Sequence, residues 1–278
     1  MKKKDLFQNM ALILVLVIGL SLLLYPTVSN WWNDKVQTKA VANFQSQMAV
    51  VDNSEYEAMW QAALDYNEKL LRRSNPYALP DEMESEYYTT MNVTGNGIMG
   101  YVEIPSIKIT LPMYHGTSET VLATSIGHLD WTSLPTGGPS THCVLSGHRG
   151  LPSARLFTDL DKLAVGDIFI IHAMDETLTY EVDQIKIVEP HESEDLVIQE
   201  GKDLVTLVTC TPYGVNSHRL LVRGHRVENL AETTVVRVTA DAVIVEKLIV
   251  APFLLVPMLL VFLIIIAIPN KKNRRKEK

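Results

Sequence analysis

The 278-residue chain is short of cross-linking and repetitive material. It has only two cysteines, Cys143 and Cys210, so at most one disulfide can form. It has no internal repeats and no low-complexity tracts, which leaves out a solenoid or an array. Charge is missing altogether from residues 6–33 and again from 248–270. Positive charge is scarce between the tails: residues 6–269 carry 16 Lys and Arg against 30 Asp and Glu, a net of −14. So acidic a domain is a poor nucleic-acid binder and suits a cationic partner such as a lysine amine, although the same charge also serves solubility.

The two uncharged stretches read as membrane spans. Residues 12–24 are almost wholly aliphatic and follow Lys2, Lys3 and Lys4. A signal peptide would end in a small-x-small site, but Tyr25-Pro26-Thr27-Val28 follows instead, so an uncleaved anchor is expected. Residues 248–270 run into Lys271, Lys272, Arg274, Arg275 and Lys276. Basic flanks stay cytoplasmic, so both termini should be inside and the domain between them extracytoplasmic.

The segments expected in order are these: 1–33, tail and anchor; 34–74, N-terminal helices; 75–96, a candidate lid loop with little core; 97–230, a β-barrel; 231–247, a linker; 248–270, the second span; and 271–278, a basic tail. Helical spacing around Phe44 and Tyr66 breaks near Asp52, where Ser54 and Glu57 read as a capping box. From Gly100 the period becomes that of strands, over 101–104, 107–111, 141–146, 167–172 and 177–188, with a short helix at 154–163. Many short strands with little helix between them imply a closed or sandwiched antiparallel domain.

Residues 204–226, LVTLVTCTPYGVNSHRLLVRGHR, read as a β-hairpin that ends its first strand at Cys210. Arg219, opening the return strand, can lie opposite the thiol. A thiol beside a guanidinium suits acyl transfer, the sulfur attacking a carbonyl and the planar cation steadying the oxyanion. Cys143, in the apolar run Cys143-Val144-Leu145, reads as a small core residue, with a disulfide to Cys210 as the lesser alternative. Of eight histidines, His148 stands out as a base, on a glycine-flanked turn at a strand end. Solvation alone is the plain alternative for such a histidine. A zinc site from His142, Cys143, His148 and Cys210 is disfavoured, because strand neighbours 142 and 143 point to opposite faces.

TLVTCTPYG (206–214) with Asn216, His218 and Arg219, SGHRG (146–150), GHLDWTSLPTGG (127–138) and LFTDLDKL (156–163) together resemble the sortases, and among them class C, the pilus-assembling branch. The resemblance implies a mainly β fold: a sortase-type closed barrel with short helices, preceded by N-terminal helices, with one transmembrane helix at each end. It implies Cys210 as nucleophile, His148 as the proton-transferring partner and Arg219 as the oxyanion-binding cation, with no cofactor and no metal. The implied reaction cleaves an LPxTG-like sorting signal of a pilin or surface protein, holds the product as a thioacyl-enzyme and transfers it to an acceptor lysine amine.

Class C lids commonly carry an Asp-Pro-aromatic motif. Here Asn75-Pro76-Tyr77 stands in that place: Asn75 could hydrogen-bond Arg219 but not pair with it as an ion, and Tyr77 could cover the thiol. The plain alternative is that Asn75-Pro76 ends the preceding helix. Trp131 stands where the family's GHL segment would be expected to carry a small residue. Competing functions are anchoring to a peptidoglycan amine, simple hydrolysis, and a non-catalytic membrane-tethered binding module.

Overall fold

From residue 98 onward, alternating apolar side chains produce strands that close on one another. The computed structural model describes residues 3–229. Among the described residues there are eight strands: β1 (Ile98–Ile104), β2 (Ile109–His115), β3 (Ile126–His128), β4 (Thr141–Ser146), β5 (Ile168–Ala173), β6 (Glu176–Val188), β7 (Asp203–Thr211) and β8 (His218–Arg226). They form a closed barrel in the order β1-β2-β3-β4-β7-β8-β6-β5. Closure pairs every strand on both sides and leaves no sheet edge. The expectation of a purely antiparallel domain needs correction, because β2 with β3 and β4 with β7 run parallel. A parallel pair needs a long crossover. Between β4 and β7 that crossover is itself built of strands, β5 and β6.

The barrel wall separates two apolar clusters. Val102, Met113, Leu145, Phe169, Leu207 and Val222 belong to the main core. Val144, Leu196, Val208 and Leu221 form a second, smaller cluster, against which Leu129, Trp131 and Val188 pack. Each such side chain, fully buried, contributes about 1.5–3 kcal/mol. Cys143 lies in the main core, is free, and burial pushes its thiol pKa well up. Cys210 is free as well, so the disulfide alternative falls.

Residues 3–31 and 32–229 fall in separate compact units. Helix α1 (Lys3–Met48) contains a window of mean hydropathy 2.5, none of it buried, long and apolar enough to cross a membrane. The break near Asp52 is present, but the expected capping box is not. Asp52 itself caps α2 (Asn53–Leu71), its Oδ1 accepting from the Ser54 and Glu55 amides at 2.8 and 2.9 Å. A carboxylate is a stronger acceptor than a hydroxyl and also answers the positive end of the helix dipole.

Helix α2 is docked by Asn67, whose amide donates to Leu134 O at 3.0 Å and Thr136 Oγ1 at 2.9 Å and accepts from Leu134 N at 2.8 Å. The segment 75–96 was expected to be a loop with little core. It contains α3 (Asp81–Thr89), whose Met83 and Tyr87 are buried in the main cluster. Conversely, the helix expected at 154–163 is reduced to one 3-10 turn, Leu160–Lys162. Leu156, at φ 40°, takes the left-handed backbone that an α-helix excludes. The short α4 (Glu119–Leu122) and the three-residue β3 were not expected. The linker 231–247, the span 248–270 and the tail 271–278 lie outside the described residues.

Tyr87 joins α3 to the barrel. Its hydroxyl accepts from Gly116 N at 2.8 Å and meets His128 Nδ1 at 2.9 Å, while His128 Nε2 lies 2.8 Å from Ser133 O. Burial pushes His128 down to about 3, so the ring is neutral, donates from Nε2 and accepts Tyr87 O–H at Nδ1. Tyr87→Phe leaves both partners buried and unsatisfied. It should cost about 1–3 kcal/mol, read as a lowered urea midpoint at unchanged slope.

Candidate active site

Strand β7 lies between a parallel neighbour, β4, and an antiparallel one, β8. Across β7 and β8 the register pairs Thr206 with Arg223, Val208 with Leu221 and Cys210 with Arg219. On the other side Ser146 pairs with Val208. Two residues beyond that last pair, the chains reach His148 and Cys210. Thus His148, Cys210 and Arg219 come from three adjacent strand ends, about 5 Å per strand apart, with the sulfur in the middle. All three are half-buried. The cross-strand placement of Arg219 opposite Cys210 is the one expected from the hairpin.

The turn that carries His148 is held from three directions. Gly147 N donates to Val208 O at 3.0 Å, Thr209 Oγ1 donates to Gly147 O at 2.7 Å, and Phe157 N donates to His148 O at 3.1 Å. Gly147 is required by space, because a Cβ there would meet the Phe157 ring at 2.7 Å. Gly150 is required twice over: its φ is +76°, and a Cβ would meet the Tyr213 ring at 2.9 Å. Arg149, next in the turn, donates to Thr211 Oγ1 at 3.1 Å and pairs with Asp161. The stretch just after Cys210 is therefore tied to the histidine turn as well.

Arg219 uses Nη1 within its own hairpin, toward His218 O at 3.1 Å and Asn216 O at 3.4 Å. No other side-chain hydrogen bond of Arg219 occurs among the described residues, which leaves donors of the fork for a substrate oxygen. Asn75, expected as a candidate partner of Arg219, turns instead to its own loop, Oδ1 accepting from Tyr77 N at 3.0 Å. An amide two residues downstream is a nearer donor, and an uncharged side chain has no ion-pair pull toward a guanidinium. Tyr77 is exposed and meets Trp131, ring centroids 6.3 Å apart. Pro76 O accepts from Arg73 Nη2. The Asn75-Pro76-Tyr77 segment thus touches the outer apolar cluster through Trp131.

That cluster, which sequence reasoning missed, lies beside the row of His148, Cys210 and Arg219. Val208 and Leu221 are the cross-strand pair adjoining Cys210 and Arg219, and Leu196, Leu129, Trp131 and Val188 pack with them. The signal was present in Leu196-Val197-Ile198, an apolar triplet within an acidic stretch, 189–202. His142, weighed as a zinc ligand, has both ring nitrogens engaged, Nδ1 with Val197 O at 2.9 Å and Nε2 with Thr206 Oγ1 at 2.7 Å.

A thiol flanked by an imidazole and a guanidinium, beside an apolar wall, can attack a carbonyl, stabilise the resulting oxyanion and pass a proton to the leaving group. Thr209→Val keeps the shape of β7 but frees Gly147 O and loosens the histidine turn. It should slow peptide acylation of Cys210 about 10- to 100-fold, measured by intact mass in a time course, while the fold is retained.

A family described as Sortase domain matches residues 102–227. The crystal structure of sortase C1 from Streptococcus agalactiae is 51% identical, with a TM-score of 0.67, over 69% of this chain and all of that one. Sortase C of Clostridium perfringens, solved with the C-terminal cell wall sorting motif, is 41% identical with a TM-score of 0.61, covering 69% of this chain and 100% of that chain. Sortase A of Bacillus anthracis is 25% identical over 84% of this chain and 100% of its own length. The two solved structures named above are class C sortases, and this chain belongs to the sortase family of cysteine transpeptidases.

Proposed function

We propose that the protein is a membrane-anchored pilin polymerase. It cleaves an LPxTG-like signal between Thr and Gly and transfers the new carboxyl end to a lysine of the next pilin. The observation that carries this reading is the row His148, Cys210, Arg219 on three adjacent strand ends, beside the outer apolar cluster. The apolar residues of the signal lie along Val208, Leu221 and Leu196, which brings the Thr carbonyl to Cys210. The Cys210 thiolate adds to that carbonyl carbon, and the oxyanion is met by Arg219. Collapse breaks the Thr–Gly C–N bond as His148 gives its proton to the glycine amine, leaving a thioester. The lysine amine then attacks, its proton passes to His148, and the Cys210 thiolate departs as the isopeptide bond closes.

The extended helices α1 to α3 and the class C neighbours support pilin polymerisation over anchoring to a peptidoglycan amine. The acidic balance of residues 6–269 favours approach of a lysine side chain. Residues 248–270, uncharged and followed by basic residues, would add a second span, with both termini inside. Asn75, Pro76 and Tyr77 form a weakly held lid that covers the groove through the Tyr77–Trp131 contact.

Intact mass after incubation with an LPxTG-type peptide tests the assignment. Wild type gains the acyl mass and releases it to a lysine-bearing acceptor, while Cys210→Ala gains none. Arg219→Lys loses about 100-fold in acylation rate, since an ammonium lacks the planar fork. An adduct on Cys210→Ala, or discharge to water alone with acceptor present, would sink this reading. Tyr77→Ala removes an aromatic contact worth about 0.5–1.5 kcal/mol and should speed acylation by roughly 2- to 10-fold. A slower Tyr77→Ala would reverse the lid's assigned role.

A further inference from the structure

Within the segment between β6 and β7, residues 189–202, the short stretch 195–197 is tied to the outer face of the barrel at both of its ends. At one end Asp195 Oδ1 accepts from Lys186 Nζ at 2.6 Å. At the other, the carbonyl of Val197 meets the ring of His142 at 2.9 Å. Between these ties Leu196 is driven into the cluster of Val144, Val208 and Leu221, beside the Cys210–Arg219 pair. His142 belongs to β4 and is fully buried, yet the transfer chemistry does not use it.

A backbone carbonyl can only accept, so Nδ1 of His142 carries the proton. Burial pushes the ring down to about 4, so it is neutral and its Nε2 lone pair is free to accept. Thr206 Oγ1 supplies that donor at 2.7 Å. The carbonyl thus selects the tautomer, and the hydroxyl, able to donate or accept, turns its proton to the remaining nitrogen and holds the ring in place. Arg223, opposite Thr206 in the register, is spent in a two-bond pair with Asp183 at 2.9 and 2.8 Å.

We propose that His142 is a positioning residue for signal recognition: through Val197 it fixes Leu196 as the wall of the groove, with Thr206 fixing the ring. The claim rests on the reading that the groove beside Cys210 receives the sorting signal. It assigns His142 to substrate affinity and not to the reactivity of the thiol.

The test uses the full chain in detergent and an LPxTG-type peptide, with three readouts. These are KM and kcat for the peptide, the rate of Cys210 alkylation by iodoacetamide, and amide hydrogen exchange over residues 196–198. Cys143 is buried, so alkylation reports Cys210. His142→Phe keeps a ring and loses both bonds. It should raise KM about tenfold, speed exchange at 196–198 and leave the alkylation rate unchanged, the loss of one buried hydrogen bond being about that large. His142→Gln, which can again donate and accept, should recover most of the affinity. Thr206→Val, which keeps the imidazole, should fall between and carries the test if His142→Phe does not fold. Unchanged KM and exchange in these variants would overturn the proposal, as would a parallel fall in kcat and alkylation. If wild type takes no acyl group, the transfer reading of Cys210 fails, while exchange at 196–198 still decides whether His142 holds the loop.

Discussion

The register of β7 against its two neighbours is the constraint on which the site depends. Strand side chains alternate faces, so a slip by one residue on either side would turn Cys210 into the barrel and bring Val208 or Thr209 out of place. The register is held by the apolar residues themselves. Leu207 is committed to the main core and Val208 to the outer cluster, so a shift would expose one and strand the other. The same burial that stabilises the barrel therefore sets the thiol between His148 and Arg219. The ties at Gly147, Thr209 and Phe157 carry that precision past the end of β4 into the turn.

Around this strand the molecule has a dry side and a working side. The main core, with Phe169, Leu145 and Val222, is closed and includes residues from α2 and α3. The outer cluster is smaller and lies beside the Cys210–Arg219 pair. Its components come from far apart in sequence: the segment before β4, β4 itself, β7, β8 and the loop before β7. Such a wall can be altered one segment at a time without disturbing the barrel, which is where a family sharing one chemistry can vary what it recognises.

Much of the barrel was legible because its strands alternate cleanly, and β4 and the β7–β8 hairpin came out nearly to the residue. What escaped was short or held by tertiary contacts. Three residues suffice for β3 because it is clamped between β2 and β4, and no local pattern of that length is distinctive. The helix α3 is hidden by its acids, since only Met83 and Tyr87 face the core. Residues 154–163 carry a helical composition that the left-handed Leu156 overrides. Cys210, His148 and Arg219 were singled out individually from their motifs, whereas their order in space required the strand order, and parallel pairing leaves no local mark in sequence. The part played by Asn75 shows the same limit: a short polar side chain answers its own backbone before a distant guanidinium.

The placement of Cys143 has a bearing on how the enzyme ages. Thiols outside the reducing cytoplasm are lost when a second sulfur comes within reach, because a disulfide is then an intramolecular event. Here the second sulfur is sealed in the main core, on the far side of the barrel wall from Cys210, and burial keeps it protonated. The Cys210 sulfur consequently has no internal partner to trap it. Its oxidation must go through an outside thiol or through oxygen addition at a single atom, and an external reductant can reverse the first of these without unfolding the protein.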